Sequence, residues 1–327
     1  MQVTPDPELV SRFRDDVGAL TGAPPTPEAR LGLAVSGGPD SLALLLLAAA
    51  AFPDTVAAAT VDHGLRPEAA DEAAMVARTC AELAVPHTTL HVTPGATGNL
   101  QERARTARYA ALGEWARRSG VPWIAVAHQR DDLAETFLMR AGRGSGIGGL
   151  AAMRSQRPID GAVLVRPLLD WPRCQLAAIA RDAGFTPASD PSNRDPRFDR
   201  SRIRALIAAT PDLRASRLAT AARNLRHAED ALDWAFRREL PDRFQLEGRE
   251  ASLAPADLPY ELRRRLVRHA VQQVRAAAGL TAPWREQGLD RLVATLLSGG
   301  IGTIAGVQAL AKHGKWHFRL APPRRSG

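Results

Sequence analysis

The sequence predicts an α/β protein: a parallel sheet covered on both faces by helices, followed by a smaller, mainly helical domain. Three observations lead there. Short apolar or β-rich runs near 31–36, 55–62, 86–92, 121–127 and 162–166 alternate with helical stretches near 39–51, 68–84, 99–119, 131–141 and 172–183, and strands that alternate with helices pair in parallel. After residue 204 the pattern changes to long Arg- and Ala-rich helices near 212–240, 256–278 and 284–298, with only short β-like runs near 243–253 and 301–320. A chain of 327 residues, 45% apolar, is long enough for about two domains with real cores. The expected division is an N-terminal helix and linker over 1–30, the α/β domain over 31–205 and the helical domain over 206–327, with the Pro-, Asp- and Arg-rich stretch 187–204 as the connection.

Composition narrows the class. Net charge is +8, and since the only lysines are Lys312 and Lys315, 41 of the 43 basic residues are arginine. With the abundant alanine this points to a compositional bias, which weakens any single arginine as evidence. The positive balance still favours a polyanionic partner. Cys80 and Cys174 lie far apart, without a CxxC or a His at metal spacing, and read as buried apolar residues. No apolar run reaches the roughly 20 residues of a spanning helix, the longest candidate being 42–52, and no signal peptide is read, so a cytoplasmic protein without a membrane partner is expected.

In chain order, the first strand ends in Ser36-Gly37-Gly38-Pro39-Asp40-Ser41 and a helix starts at once. Glycines let the backbone approach an anion, the opening N–H groups of a helix point at it, and Ser36 and Ser41 add hydroxyls. Asp40 needs a cation between itself and a phosphate, either Mg²⁺ or a substrate ammonium. This is not a Walker loop, because neither lysine has a Gly-Lys-Ser/Thr context. The alternative is a Gly-rich turn joining strand to helix.

The second strand closes in Asp62-His63-Gly64-Leu65-Arg66, groups able to read a nucleoside or its phosphates, or a turn satisfying its own backbone. The helix from 99 places Arg105 and Arg108 three apart, with Glu102 one turn earlier, either two guanidiniums for a pyrophosphate or an exposed charge cluster. After the fourth strand, His128-Gln129-Arg130-Asp131-Asp132 and Glu135 set acids on the first turn of a helix, where they can hold an ammonium group or cap the helix. Gly144-Ser145-Gly146-Ile147-Gly148-Gly149 formally matches G-x-G-x-x-G, but it follows a helix and implies no dinucleotide site. With Arg140 and Arg143 before it, this loop either admits a nucleic-acid backbone or is a plain linker.

Ser-Gly-Gly-x-Asp-Ser resembles the PP-loop of the N-type ATP pyrophosphatases, an adenine nucleotide alpha hydrolase-like fold. The ordered series SGGPDS, VDHGLR, the Arg run at 102–109, AHQRDDLAET, RGSGIGGL, RPLL at 166–169 and DPSN at 190–193 resembles the bacterial tRNA(Ile)-lysidine synthetase family over about 31–204. That resemblance implies a two-step reaction. ATP adenylates O2 of the wobble cytidine in the CAU anticodon of isoleucine tRNA, and the ε-amine of free L-lysine then displaces AMP to give lysidine. It implies ATP as co-substrate and Mg²⁺, with Asp40 as the metal-binding candidate. Ser36, Gly37, Gly38, Pro39, Asp40, Ser41, Asp62, His63 and His128 would bind ATP. Asp40, Asp132 and Glu135 would surround lysine and, with Arg105, form the catalytic set. Arg108, Arg143, Arg200 and Arg204 would meet tRNA or phosphate. A homodimer is left open.

The chemistry agrees with these residue types, since acids accept an amine's proton and cations stabilise the leaving pyrophosphate. Two positions depart from the family: Ser201 stands where an Asn is common, and Gln129 where a second His often follows His128. The C-terminal half resembles the family's tRNA-binding domain only in length and helical character. Two other functions are weighed against this one. A PP-loop ligase acting on a small metabolite would not respond to tRNA, and a non-catalytic nucleotide-binding module would have little use for three acids together.

Overall fold

The computed structural model of the chain describes residues 4–64, 68–93, 100–151, 153–185, 199–284 and 286–322. Leu65, Arg66 and the DPSN motif at 190–193 fall outside them. The chain divides into two compact units, Met1–Arg226 and His227–Gly327.

In the first unit, α1 (Pro7–Thr21) is capped by Asp6, whose carboxylate accepts from Glu8 N at 2.8 Å, and it ends at Gly22 in the left-handed region. Then follow β1 (Leu31–Ala34), α2 (Pro39–Ala51), β2 (Val56–Asp62), α3 (Glu68–Glu82), β3 (His87–His91), α4 (Leu100–Ser119), β4 (Trp123–Val126), α5 (Arg130–Ala141), α6 (Ile147–Leu150), β5 (Gln156–Ile159), β6 (Ala162–Val165), α7 (Arg173–Asp182), α8 (Asp199–Ala209) and the start of α9 (Ala215–Arg243). The sheet order is β3-β2-β1-β4-β6-β5, parallel except for the edge strand β5.

Helix α2 is apolar all round, and Leu42, Leu44, Leu45 and Leu47 are fully buried among α1, α7 and the sheet, with Phe13, Val17, Trp171 and Leu176. Each such leucine contributes about 1.5–3 kcal/mol of burial. On the other face α4 lays Leu112, Trp115 and Ala116 against Ala57, Ala59, Ile124 and Leu164. Chain order reverses at β1: β2 lies on one side of it and β4 on the other. The crevice beyond the carboxyl ends of β1 and β4 is where such sheets take ligands.

The expected elements form, with differences that have physical reasons. The polar edge strand β5 and helix α8 were not anticipated. The expected N-terminal helix is α1, and it belongs to the first core, because Phe13 and Val17 are fully buried in it. The unit boundary falls at 226/227 instead of 205/206, since α8 packs on α5 and Ala219 and Ala222 of α9 bury against Leu133. Cys80 is buried as expected. Cys174 is exposed, because α7 turns Leu176, Ile179 and Ala180 to the core and the opposite side to solvent.

The second unit contains the rest of α9, β7 (Phe244–Glu247), β8 (Glu250–Leu253), α10 (Tyr260–Ala277), α11 (Leu289–Leu297), β9 (Ile301–Ile304), β10 (Val307–Lys312) and β11 (Lys315–Leu320). Its antiparallel sheet, β7-β8-β11-β10-β9, turns Leu253, Val307, Ala309, Trp316 and Phe318 onto Leu266, Val271, Leu292 and Val293 of α10 and α11. The β-like runs read from the sequence thus make a five-stranded sheet beside the helices. Among the described residues no helix is long and apolar enough to cross a membrane.

Candidate active site

A cavity of about 740 Å³ opens at the β1–β4 crevice, lined by Ser36, Gly38, Pro39, Asp40 and Ser41 on one side and by Arg108, Tyr109, His128 and Asp132 on the other. Ala34, Val35, Ala59, Val61, Leu112 and Val126 supply an apolar floor. The loop is fixed from within. Ser41, 5% exposed, donates its hydroxyl to Gly38 O at 2.9 Å and accepts from Ser36 N at 3.2 Å and Ser36 Oγ at 3.3 Å. Gly37 stands at φ +84°, and a Cβ there would meet Met75 Cε at 3.1 Å, so this position needs glycine. It shapes the loop without lining the cavity. Gly38 caps α2, and behind Pro39 the first-turn N–H groups of Asp40 and Ser41 have no intrahelical acceptor.

Asp40 keeps Oδ1 buried and without a hydrogen-bond partner. Burial raises its pKa, Arg173 lowers it, Asp132 raises it, and Gln129 and Arg204 lower it; the balance lies at about 6. Gln129, fully buried, caps α5: its Oε1 accepts from Asp131 N at 2.5 Å while Asp132 Oδ2 accepts from Gln129 N at 3.1 Å. The departure from the family's His is therefore a capping residue, whose amide nitrogen is buried without a hydrogen-bond partner. Asp131 turns away to accept from Arg173 N, at the start of α7, at 3.2 Å.

Glu135, 2% exposed, lies behind the cavity wall and is held by guanidiniums. Arg204 Nε donates to Oε1 at 2.8 Å, Arg200 Nε to Oε2 at 2.9 Å, and Arg173 Nη1 stands 3.7 Å from Oε1. Arg200 Nη2 also lies 3.3 Å from Asp132 Oδ1. Arg173, Arg200 and Arg204 line the cavity; Glu135 does not. His128 lines it with Arg166 behind, whose Nε donates to His128 Nδ1 at 3.3 Å. Burial and then Arg166, Arg200, Arg105 and Arg108 push the His128 pKa down to about 3, so the ring is neutral and, with Nδ1 accepting, carries its proton on Nε2.

Of the expected residues, the cavity thus collects Ser36, Gly38, Pro39, Asp40, Ser41, Arg108, His128, Asp132, Arg200 and Arg204. Asp62 is not in its lining: strand alternation sends Val61 inward, and Asp62 accepts from Gly64 N at 2.8 Å and meets His91 Nδ1 at 3.5 Å. His63 is also outside the lining, with both ring nitrogens buried and unpartnered and its pKa lowered by burial and Arg108. Arg105 stacks on Tyr109 outside the lining, and Arg143 pairs with Asp199 at the start of α8. Arg173 and Tyr109 were not singled out from the sequence. Tyr109 closes the Arg105-Arg108 run and was within reach of it, whereas nothing local marks Arg173.

A family model described as a PP-loop domain matches residues 11–210. The tRNA(Ile)-lysidine synthase of Novosphingobium aromaticivorans is 46% identical over 319 residues, covering 97% of this chain and 95% of that protein. That of Zymomonas mobilis subsp. mobilis is 42% identical over 326 residues, covering 98% and 96%. Among solved structures, the U34-tRNA thiolase of Methanococcus maripaludis superposes with a TM-score of 0.55 at 17% identity, over 67% of this chain and 78% of that one, a likeness of fold alone. A glycine loop braced by its own serines, a half-buried acid opening α2 and this near-complete match to curated relatives place the chain in the tRNA(Ile)-lysidine synthase family of PP-loop proteins.

Proposed function

We propose that this chain uses ATP and free L-lysine to convert the wobble cytidine of a CAU-anticodon isoleucine tRNA into lysidine. Cytidine O2 attacks the α-phosphorus of ATP, forming a P–O bond as the bond to pyrophosphate breaks. The lysine ε-nitrogen then attacks C2, AMP leaves with the former O2, and the amine gives up a proton. The observation that carries this reading is one cavity that joins the open N–H groups at the start of α2 to a half-buried carboxylate whose Oδ1 is buried without a partner, Asp40.

The residues divide the work by chemistry. The α2 N–H groups and Ser36 hold phosphate oxygens, and the apolar floor takes the adenine. Arg108, Arg173 and Arg200 offset charge that develops on the departing pyrophosphate. His128, neutral, donates from Nε2 and does not act as a base. Asp40 and Asp132 orient the ammonium of lysine, and Asp40, whose pKa of about 6 is that of the metal-free site, is suited to take its proton when no Mg²⁺ is bound to it. Glu135 acts through Arg200 and Arg204, which it stations at the wall.

Mg²⁺ fits the donor set present. Among the described residues no three His, Cys, Asp or Glu side chains gather as a metal site, and Mg²⁺ is ordinarily held by one or two carboxylates with substrate phosphates and water. Asp40 Oδ1 would hold it, with Asp132 near; when bound it neutralises phosphate charge.

The test is incorporation of labelled lysine into an unmodified CAU-anticodon isoleucine tRNA transcript with ATP and Mg²⁺, beside a CAU-anticodon methionine tRNA. ATP-dependent labelling of the first alone is expected. Pyrophosphate release that depends on some other acceptor, without labelling, would replace tRNA by a small metabolite.

A further inference from the structure

Tyr109 of α4 carries two guanidiniums on its ring. Arg105 Cζ lies 5.1 Å from the ring centroid and Arg157 Cζ, from β5, lies 4.4 Å from it. Arg166, 5% exposed at the end of β6, backs them, held by its bonds to His128 Nδ1 at 3.3 Å and Arg154 O at 2.5 Å. Among the described residues no carboxylate pairs with Arg105, Arg108, Arg157 or Arg166, and Arg157 Nε is buried without a partner. Other arginine clusters are neutralised by the chain's own acids, although single arginines such as Arg263 and Arg275 bond backbone carbonyls instead. Arg265 meets Glu229, Asp233 and Glu261, and Arg264 meets Glu261, Glu286 and Asp290. Compositional bias alone accounts for paired surface arginines, but not for like charges gathered on one ring with no counter-charge.

The location separates this cluster from the ATP phosphates. Tyr109 and Arg108 line the nucleotide cavity, whereas Arg105, Arg157 and Arg166 do not, so the cluster adjoins the cavity at Tyr109 without facing into it. We infer that Arg105 and Arg157, spaced by the Tyr109 ring and backed by Arg166, form a phosphodiester seat for the RNA backbone beside the nucleotide whose base enters the cavity. The inference rests on the tRNA reading above. Two guanidiniums held within about 5 Å of one aromatic ring keep N–H donors free for phosphate oxygens, and the shared ring keeps them close together.

The test uses the full chain and Arg157→Gln. KM for the isoleucine tRNA transcript is expected to rise about 5- to 10-fold at moderate salt, and the slope of log KM against log salt concentration to fall by about 0.7–0.9, the loss of one phosphate contact. KM for ATP stays within twofold, and Arg157→Lys, which restores the charge but not the ring-held guanidinium, recovers the salt slope and only part of the rise in KM. Arg105→Gln, on an exposed side chain, gives the same change in salt slope should Arg157→Gln fold poorly. A rise in KM for ATP in place of that for tRNA would assign the seat to the nucleotide. A lowered Tm with both KM values and the salt slope unchanged would make the cluster structural and overturn the inference. Wild-type protein inert toward isoleucine tRNA fails the functional reading instead. The seat is then judged by fluorescence anisotropy with an RNA hairpin, where equal binding by wild type and Arg157→Gln refutes it.

Discussion

Asp40 shows how one side chain serves chemistry at a cost in stability. Its carboxyl binds a proton more readily in the folded chain, pKa about 6, than at its ordinary value of 3.8, so the folded state holds more protons between those limits. Stability from this group is complete below pH 3.8 and is lost as pH rises through about 6. Asp40→Asn is therefore expected to be more stable than wild type at pH 8, by on the order of 1–3 kcal/mol, and equal to it at pH 4, in urea melts without metal or ATP. The same substitution should lower lysine incorporation at least about 100-fold, by removing a proton acceptor. A variant less stable than wild type at pH 8 would contradict the account of its burial. Glu135 is the opposite case, a buried acid with its partners in place. Glu135→Ala strands Arg173, Arg200 and Arg204; because those guanidiniums are partly exposed, the expected loss is roughly 2–3 kcal/mol, less than for a fully buried pair, and Glu135→Gln should lose less. A loss under about 0.5 kcal/mol from the alanine variant would mean that the ion pairs do not hold the wall.

At the scale of elements, α4 meets the β5–β6 turn at Gly113, where a Cβ would stand 2.0 Å from Asp160 O. A backbone carbonyl cannot give way cheaply. Gly113→Ala should cost about 3 kcal/mol or more and lower Tm, against the small gain that alanine brings to an open helix; an unchanged Tm would refute the contact. This contact fixes an element that was not legible in the sequence. The five parallel strands announce themselves as apolar or β-rich runs, β3 by its threonines, and Ser36 to Ser41 read as an anion loop because strand, glycines and helix are contiguous. β5 is polar, and Pro158 within it argues against a strand except at a sheet edge, the place it takes. α8 has no buried residue and is tied down by Arg200 and Arg204 on Glu135, so no apolar period marks it. Arg173 reaches Glu135 across 38 residues of chain, a distance that no local pattern encodes. Asp62 and His63, conversely, looked right for the site because they close a strand, but alternation aims Val61 rather than Asp62 at the cavity, and His63 lies past the end of β2, outside the lining.

For the whole molecule, every residue lining the cavity lies in Met1–Arg226. A fragment of that unit should bind a non-hydrolysable ATP analogue within about threefold of the full chain, a difference of some 0.6 kcal/mol, by isothermal titration. A fragment that is folded by circular dichroism yet binds more than tenfold weaker would show that the second unit completes the site. One feature of the cavity reaches further. Its cations, Arg108, Arg173, Arg200 and Arg204, are all guanidiniums, and both lysines of the chain, Lys312 and Lys315, belong to the second unit. A guanidinium stays protonated at any working pH and offers no lone pair, whereas an amine beside an activated base would capture it. The walls are thus chemically deaf to the electrophile they make, and no lysine side chain of that unit competes with free lysine to become a permanent, self-inflicted adduct.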